Sequence, residues 1–470
     1  MMAPRARPAR RRTGLTLATV SMAVALGVIG PSGASQSHPR IATEDEIDLS
    51  ASPGLPSLSP AIALTTEGAA TRVHVVWEED GEIVHRSRLL PGGAWSVQTS
   101  VYYPGQDPSL TARGEALALS FTRSQFDAGD PTEIYTARWQ AGSWQAIRAV
   151  THSGYSLTEN GQQSDIAFGP DLSLWLAWVN TSGGTFTPYY AHLGATGEPL
   201  GSGAIRASDT NVQAPSVAVE SEGTVWAAWS NAPEAADEEL IYLSSWPPGT
   251  SGFDLEPRWL NDTNSRGRVP RIGIDRDTMC VAWQETVDED GTNQEVFLEC
   301  NNQPAQYNHS ATANGRSLEP SVAVDDRIGA LVLWQEREAS QPREIAFRSG
   351  PPPPERATVR IADGTVRSPS VAYRDGYVHA AWMEGEDADS EVHYARWAYV
   401  LPTATPTPSR TATPKPPSPS PTTTGTPTFP TPTPTGTREP TATPGTVSPT
   451  PTKDGPRHVN FLPYASMRRP

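Results

Sequence analysis

Short apolar runs alternate with polar turns between residues 57 and 400, and they recur with a period. One phrase appears three times, as "APSVAVESEGTVWAAW" from Ala214, "EPSVAVDDRIGALVLW" from Glu319 and "SPSVAYRDGYVHAAW" from Ser368. Each copy is an apolar run, a polar turn and a second apolar run that ends on a tryptophan. Runs this short, rich in Val, Ala and aromatic residues and bounded by turn residues, are typical of β-strands and lack the spacing of a helix.

Looser copies extend the pattern to seven units of about 50 residues, here called units 1 to 7. Each second run ends on an aromatic residue that we predict to be the repeat core: Trp77, Phe121, Trp178, Trp229, Trp283, Trp334 and Trp382. A third run, such as "EIYTAR" or "EVHYAR", and a weaker fourth run complete each unit. Four strands per unit, repeated seven times, predict an all-β fold, a seven-bladed β-propeller. An open stack of small sheets or a string of sandwich domains is the alternative.

The two ends of the repeat region predict how the ring closes. Unit 7 stops after its third run, "EVHYARWAYV", and therefore lacks a fourth strand. The segment Glu46–Ser50 precedes unit 1 in the place where a fourth strand precedes every other unit. We therefore expect this segment to complete unit 7, which leaves no exposed sheet edge at the junction.

The chain outside the repeats predicts three further segments. Residues 1–35 combine a basic start, a 16-residue apolar run and small residues at Ser32–Ala34, as in a cleaved signal peptide. A membrane anchor is the alternative for this segment. The propeller domain is predicted at 36–401. A disordered Pro/Thr/Ser-rich linker or stalk follows at 402–456, and a short tail at 457–470.

The charge of the chain restricts its partners. The formal net charge is −16, and residues 36–400 hold 50 of the 52 acidic residues. Both lysines, Lys415 and Lys453, lie after the repeats, so the cations of the repeat region are arginines. An acidic body of this kind repels nucleic acid and anionic lipid surfaces.

The only two cysteines, Cys280 and Cys300, lie in the second and third runs of unit 5. If the hairpin turns near Asp290, the two are equidistant from the turn and face each other, which is within reach of a disulfide. An exported protein permits that oxidation. Two buried free thiols are the alternative.

The repeat resembles those of sialidase-like propellers of exported bacterial proteins, the BNR or Asp-box type. The resemblance covers residues 46–400 and rests on the phrase "PSVAV…G.V..AW.E…EI.YAR" and on "PGGAWS" at Pro91–Ser96, which is similar to the end of an Asp-box. It implies the propeller fold. No unit holds a complete Ser-x-Asp-x-Gly-x-x-Trp box. The Arg-Ile-Pro motif of sialidases is absent, and "RIA" at Arg40 and "RIG" at Arg271 are poor substitutes, so no catalytic residue is carried over.

Other candidate chemistry is sparse. The sequence has no His-Glu-x-x-His, Gly-x-Ser-x-Gly or phosphate-binding loop motif. His74 and His379 share one repeat position, which indicates packing. The loop "DEDGTNQE" is the one stretch with possible calcium ligands, in Asp288, Asp290 and Glu295, and a solvated hairpin loop is its simpler interpretation. We predict no cofactor and no metal site.

These observations favour a secreted or cell-surface propeller, expected to be a monomer, that acts as a non-catalytic binding module for an extracellular protein or glycan. Nucleic acid is not an expected partner, and the mature chain contains no predicted transmembrane segment. The alternative is a sialidase-like glycosidase or other carbohydrate-active enzyme. A fold does not decide between the two, because function resides in the site.

Overall fold

The computed structural model of this chain describes residues 41–123, 132–151, 160–182, 184–207, 209, 211–232, 239–262, 265–288, 291–303, 306–312, 315–338, 343–349, 357–362 and 365–399. The predicted signal peptide, the linker and the C-terminal tail lie outside the described residues.

About two thirds of the described residues lie in strands, in the order that the repeat predicts. The first strand is β1 (Glu44–Asp48), before unit 1. Units 1 and 2 contain β2 (Ser57–Glu67), β3 (Ala70–Glu79), β4 (Glu82–Leu90), β5 (Thr99–Tyr102), β6 (Gln106–Arg113), β7 (Ala116–Arg123), β8 (Glu133–Gln140), β9 (Ser143–Trp144) and β10 (Arg148–Ala149). Units 3 and 4 contain β11 (Asn160–Phe168), β12 (Leu174–Ser182), β13 (Thr185–Leu193), β14 (Pro199–Ala204), β15 (Val212–Val219), β16 (Val225–Asn231), β17 (Leu240–Trp246) and β18 (Arg258–Trp259).

Units 5 to 7 continue the same order. They contain β19 (Arg266–Asp275), β20 (Thr278–Thr286), β21 (Gln294–Cys300), β22 (Tyr307–Asn308), β23 (Gly315–Asp325), β24 (Gly329–Glu338), β25 (Arg343–Ser349), β26 (Ala357–Ala362), β27 (Val366–Arg374), β28 (Tyr377–Glu384) and β29 (Glu391–Ala398). A single 3-10 turn at Asp387–Asp389 interrupts the strands. None of the described residues forms a helix with the length and apolar character needed to cross a bilayer.

Each unit forms an antiparallel meander, and in unit 2 both β9 and β10 pair with β8. The first strand of every unit contacts the first strand of the next, and β27 of unit 7 contacts β2 of unit 1. Units 5 and 6 are joined into one eight-stranded sheet by a single parallel pairing between Gln294 and Arg316. The first strands are therefore the inner ones, around a common centre.

The amino-terminal strand β1 pairs antiparallel with β29, so the fourth sheet position of unit 7 is filled from the other end of the chain. The strand that the structure assigns, Glu44–Asp48, begins two residues earlier than the segment predicted from the sequence. Leu49 and Ser50 follow it, and the N–H groups of both residues donate to the carbonyl oxygen of Val392.

The hydrophobic core lies between neighbouring sheets. The cluster between units 3 and 4, for example, joins Trp175 and Val179 to Val217 and Trp229. Second strands are buried on both faces, because each sheet is covered by a neighbour on either side. In β3 this is complete, since Val73, His74, Val75 and Val76 are all fully buried.

Candidate functional site

Every first strand contains the same irregularity at the same place, where the pairing with the second strand slips. The residue at the slip has a positive φ between 45° and 52° in all seven units: Ser59, Asp107, Gln163, Ala214, Val269, Glu319 and Ser368. None of these is glycine, and each such residue costs on the order of 1–3 kcal/mol of backbone strain. Strain of this kind persists only where surrounding contacts impose it, and it concentrates at functional sites.

These seven residues surround a central cavity of about 510 Å³. The cavity lies at the end of the sheets where first strands begin and second strands end, as the pairing of Ser57 with Glu79 shows. The loops between second and third strands are at this same end. We call this cavity and its rim the channel mouth.

A belt of hydrogen bonds joins neighbouring units around the channel mouth. Ser59 bonds the carboxylate of Asp107 between units 1 and 2. The further contacts, in order around the ring, are Ser109 Oγ to Asp165 Oδ1 (2.6 Å), Ser216 Oγ to Asp165 Oδ2 (2.8 Å), Ile272 N to Ser216 Oγ (3.1 Å), Glu319 N to Gln284 Oε1 (3.0 Å), Val371 N to Ser321 Oγ (3.1 Å) and Ile62 N to Ser370 Oγ (3.2 Å). Each consecutive pair of units, including units 7 and 1, is thus bonded at least once.

Three carboxylates and one guanidinium are charged at the channel mouth. The acids are Asp107, Asp165 and Glu319, and Arg271 is the one cation among the described residues that line the cavity. Burial raises the pKa of Asp107, although the Ser59 hydrogen bond and the positive charge of Arg271 act in the opposite direction. The Asp107 side chain is open to the cavity but is surrounded by protein on its other sides, which explains this partial desolvation.

Glu78 lies directly behind Asp107, on the second strand of unit 1. Its carboxylate accepts a hydrogen bond from the backbone N–H of Asp107, and burial together with the negative charge of Asp107 raises the pKa of Glu78 to about 7. Gln284 occupies the equivalent place in unit 5, one residue after the core tryptophan, and binds the N–H of Glu319 at 3.0 Å. Unit 1 therefore has an ionisable acid where unit 5 has a neutral amide.

The predicted repeat-core residues are all fully buried: Trp77, Phe121, Trp178, Trp229, Trp283, Trp334 and Trp382. They lie between the sheets and away from the channel mouth. Several of the indole N–H groups donate to a buried carboxylate. Trp283 binds Glu285 at 2.7 Å, Trp334 binds Glu336 at 2.9 Å and Trp229 binds Asp209 at 2.7 Å.

The sequence analysis missed the role of these acids. The sequence analysis placed Glu295 in a solvated hairpin loop and did not single out Glu285 or Glu336, yet all three are buried and hydrogen-bonded. The spacing Trp-x-Glu, present in the repeat phrase, was the available signal. An indole N–H buried at the centre of a sheet stack needs an acceptor, and a carboxylate two residues later on the same face supplies it.

Cys280 and Cys300 form the predicted disulfide. They are directly opposed in the pairing of β20 with β21, with Cα atoms 4.0 Å apart. His74 and His379 are buried in packing contacts, as their shared repeat position predicts. His74 binds Thr65 at 3.0 Å, and His379 lies 2.9 Å from the hydroxyl of Tyr394.

The acidic loop of unit 5 does not bring its candidate calcium ligands together. The carboxylate of Asp288 accepts hydrogen bonds from the backbone of Thr292 and Asn293, whereas Glu295 is buried and binds Thr312. Asp290 lies outside the described residues. A different set, Asp275, Asp325 and Asp326, converges at the opposite end of the sheets, where Arg276 and Arg327 pair with it.

Comparison of the whole structure with solved structures finds enzymes and other proteins built on propellers. A polysaccharide lyase, Uly1, is 10% identical with a TM-score of 0.48, over 73% of this chain and 90% of that one. The β-propeller domain of the Trilobed protease from Pyrococcus furiosus is 10% identical with a TM-score of 0.44, over 73% of this chain and 99% of the domain. The sialidase of Trypanosoma rangeli is 8% identical with a TM-score of 0.38, over 73% of this chain and 54% of that one.

This chain is similar to sialidase-like β-propellers. Neither a comparison with protein-family models nor one with curated proteins finds a match. At this level of identity and overlap, the similarities say nothing about the substrate or activity of this chain. Its chemistry has to be argued from the channel mouth itself.

Proposed function

We propose that this protein is an exported, non-catalytic binding module, built as a closed seven-bladed β-propeller, that holds an extracellular ligand at its channel mouth. The hydrogen-bonded belt that returns from Ser370 to Ile62 supports seven blades and a closed ring. So does β1, which completes unit 7. On this proposal the propeller occupies residues 36–401, between a removed leader and the Pro/Thr-rich stalk. The disulfide fits an oxidising location.

One observation carries the non-catalytic assignment: the channel carboxylates are already bound by their neighbours. Both oxygens of Asp165 accept hydrogen bonds from serines of the adjoining units, and one also accepts from the N–H of Val217. The carboxylate of Glu319 accepts from the N–H of Ser368 at 2.6 Å. A carboxylate whose oxygens are already occupied by protein donors has fewer positions left to contact a reacting group.

The charge of the channel mouth selects the chemistry of the ligand. Three carboxylates against one arginine disfavour anionic sugars, including sialic acid, which a sialidase grips with a group of arginines. Groups that donate hydrogen bonds, either cationic side chains of a protein or hydroxyls of a glycan, complement the acceptors that line the cavity.

A glycosidase is the second candidate, because a carboxyl group with a raised pKa is what a general acid needs at neutral pH. Asp107 lines the cavity and has a raised pKa, and Glu78 behind it has a pKa of about 7. A glycosidase would need a second available carboxylate. Among the described residues that line the channel mouth, the other two carboxylates, Asp165 and Glu319, already accept hydrogen bonds from neighbouring units.

The two functions are separated with the full-length chain. Binding of neutral glycans, of anionic glycans and of a basic peptide is measured by calorimetry, alongside a panel of fluorogenic glycosides. We expect saturable binding of a neutral glycan or of the basic peptide, weakened by Asp107→Asn, without turnover. If the protein turns over a glycoside steadily and Asp107→Asn abolishes that turnover, the protein is a glycosidase instead. If only anionic glycans bind tightly, the proposed preference for neutral or cationic ligands is wrong.

A further inference from the structure

A second cavity, of about 440 Å³, lies at the rim of the propeller between units 1 and 2, away from the channel mouth. It separates β5 of unit 1 from β8 and β9 of unit 2. The residues that line it are Thr99, Ser100, Val101, Trp139, Gly142, Ser143, Trp144, Gln145, Ala146 and Ile147. We call it the rim groove. None of these lining residues is charged, although the surrounding repeat region is strongly acidic.

Two indoles form one wall of the rim groove. Trp139 and Trp144 face each other across the pairing of β8 with β9, with ring centroids 5.4 Å apart and planes at 72°. Both are half-buried. The indole N–H of Trp144 is buried and has no acceptor among the described residues.

A buried histidine fixes the position of both indoles. The ring of His85 contacts Trp139 at 4.8 Å and Trp144 at 5.3 Å between centroids, edge to face in each case. His85 is itself 3.1 Å from His74, which binds Thr65. Burial lowers the pKa of His85 to about 3, so the support is uncharged at neutral pH. The two indoles are therefore held rigidly before any ligand arrives, which reduces the entropy lost on binding.

The position of Trp139 recurs in two other units, and there a phenylalanine packs against it. Trp246 and Trp397 each pair with the residue four places before the core tryptophan, as Trp139 pairs with Leu117 in unit 2. Phe253 lies against Trp246 at 5.5 Å, and Phe347 lies against Trp397 at 5.4 Å. In unit 2 Trp144 takes the corresponding place against Trp139 and itself lines the rim groove. Trp139 and Trp246 are both half-buried and Trp397 is buried, so unit 2 differs from the other two in placing a second indole at this position.

We propose that the rim groove binds a neutral glycan, with a sugar ring against the indoles of Trp139 and Trp144. Thr99, Ser100, Ser143 and Gln145 surround this wall. Their donor groups bind other protein atoms, so they offer their oxygen atoms as acceptors to sugar hydroxyls. An apolar face with a few polar groups around it is the usual composition of a small-ligand site. The absence of charge from the lining disfavours a basic peptide or an anionic sugar here, because neither would find a counter-ion.

The test uses the full-length chain and a panel of neutral oligosaccharides, namely gluco-, xylo-, manno- and arabino-hexaoses, followed by calorimetry and tryptophan fluorescence. We expect at least one to bind with a dissociation constant of about 1 mM or tighter and to change the fluorescence. Trp144→Ala should weaken this binding by about tenfold or more, a loss typical of removing a stacking aromatic. The exposed Trp259, on unit 4, gives the matched control, since Trp259→Ala should bind as the parent does.

A second variant blocks the rim groove without removing its wall. Ala146 is exposed and lines the cavity, so Ala146→Trp should abolish binding, whereas Ala195→Trp, at an exposed turn of unit 3, should not. Asp107→Asn should leave this binding unchanged, which separates it from a ligand at the channel mouth. The proposal is overturned if no neutral oligosaccharide binds at that concentration. It is equally overturned if binding survives both Trp144→Ala and Ala146→Trp, or if only an apolar peptide competes for the groove.

Discussion

The hydroxyl of Ser50 donates a hydrogen bond to the carboxylate of Glu391, which follows it by 341 positions in the chain. The same hydroxyl accepts a bond of 2.9 Å from the N–H of Val392. Within unit 5, Ser310 makes the same two contacts, to Glu295 and, at 2.8 Å, to the N–H of Val296. The amino-terminal segment therefore repeats in unit 7 the contacts that an ordinary fourth strand makes within its own unit.

Replacing Ser50 should destabilise the propeller as a whole. Ser50→Ala leaves the buried N–H of Val392 and the Glu391 carboxylate short of a partner, which should lower the free energy of unfolding by about 1–3 kcal/mol in urea titrations. Thr43→Ala removes only an exposed hydrogen bond to Glu46 and serves as the control. Equal stability of the two variants would mean that the amino-terminal segment does not hold unit 7.

Glu78→Gln should stabilise the protein above neutral pH. The folded-state pKa of Glu78 is about 7, above its ordinary 4.5, so the cost of ionising it in the folded protein builds up as the pH rises from 4.5 to 7 and is complete above 7. The amide retains an acceptor for the N–H of Asp107 without the charge, as Gln284 does in unit 5. We expect a gain of about 1–3 kcal/mol at pH 8 that shrinks as the pH falls and disappears below pH 4.5, read from urea titrations at each pH. Glu115→Gln, at an exposed acid, should change stability little at either pH.

Acid should unfold the propeller through its buried histidines. Burial lowers the pKa of His85, His309 and His379 from 6.5 to about 3. A depressed folded-state pKa means that the unfolded chain takes up the proton first. The stability is therefore complete above pH 6.5 and is lost as the pH falls below it, by about 1.4 kcal/mol per pH unit for each histidine.

His379→Gln tests this dependence and keeps a partner for the hydroxyl of Tyr394. Below pH 6.5 the free energy of unfolding of this variant should fall less steeply than that of the parent, by about 1.4 kcal/mol per pH unit, which is the contribution of one histidine. Ionisation of Glu78 changes the stability in the opposite direction over an overlapping pH range, so both proteins in this comparison should also carry Glu78→Gln. Parallel slopes in the two proteins would show that His379 is protonated in the folded state.

Removing the disulfide should destabilise the protein by about 3 kcal/mol in the chain-entropy model for a loop of this length. The variant is Cys280→Ala with Cys300→Ala, compared with the parent in urea with and without reductant. Reductant should lower the stability of the parent and leave the double variant unchanged. A parent that is indifferent to reductant would contradict a structural role for the bridge.

The strand order, the core aromatics and the Cys280–Cys300 register were predictable, because each follows from a period that the sequence repeats. The central cavity was not. Ser59, Asp107, Gln163, Ala214, Val269, Glu319 and Ser368 share a backbone conformation without sharing a residue type, so pattern analysis has nothing to align. The rim groove was equally hidden. It depends on which side chain packs against Trp139, and only tertiary packing decides that.

The pairing of β29 on both sides, with β28 and with β1, has a mechanical consequence. The chain continues from Ala398 towards its carboxyl terminus, so tension applied at that terminus is borne first by β29. Glu44 pairs with Arg396, so the two chain ends leave this antiparallel pair at the same end, and pulling them apart opens the hydrogen bonds between β1 and β29 one after another. We expect force spectroscopy of the intact chain to record this opening at low force first, followed by the remaining units as they come apart in turn.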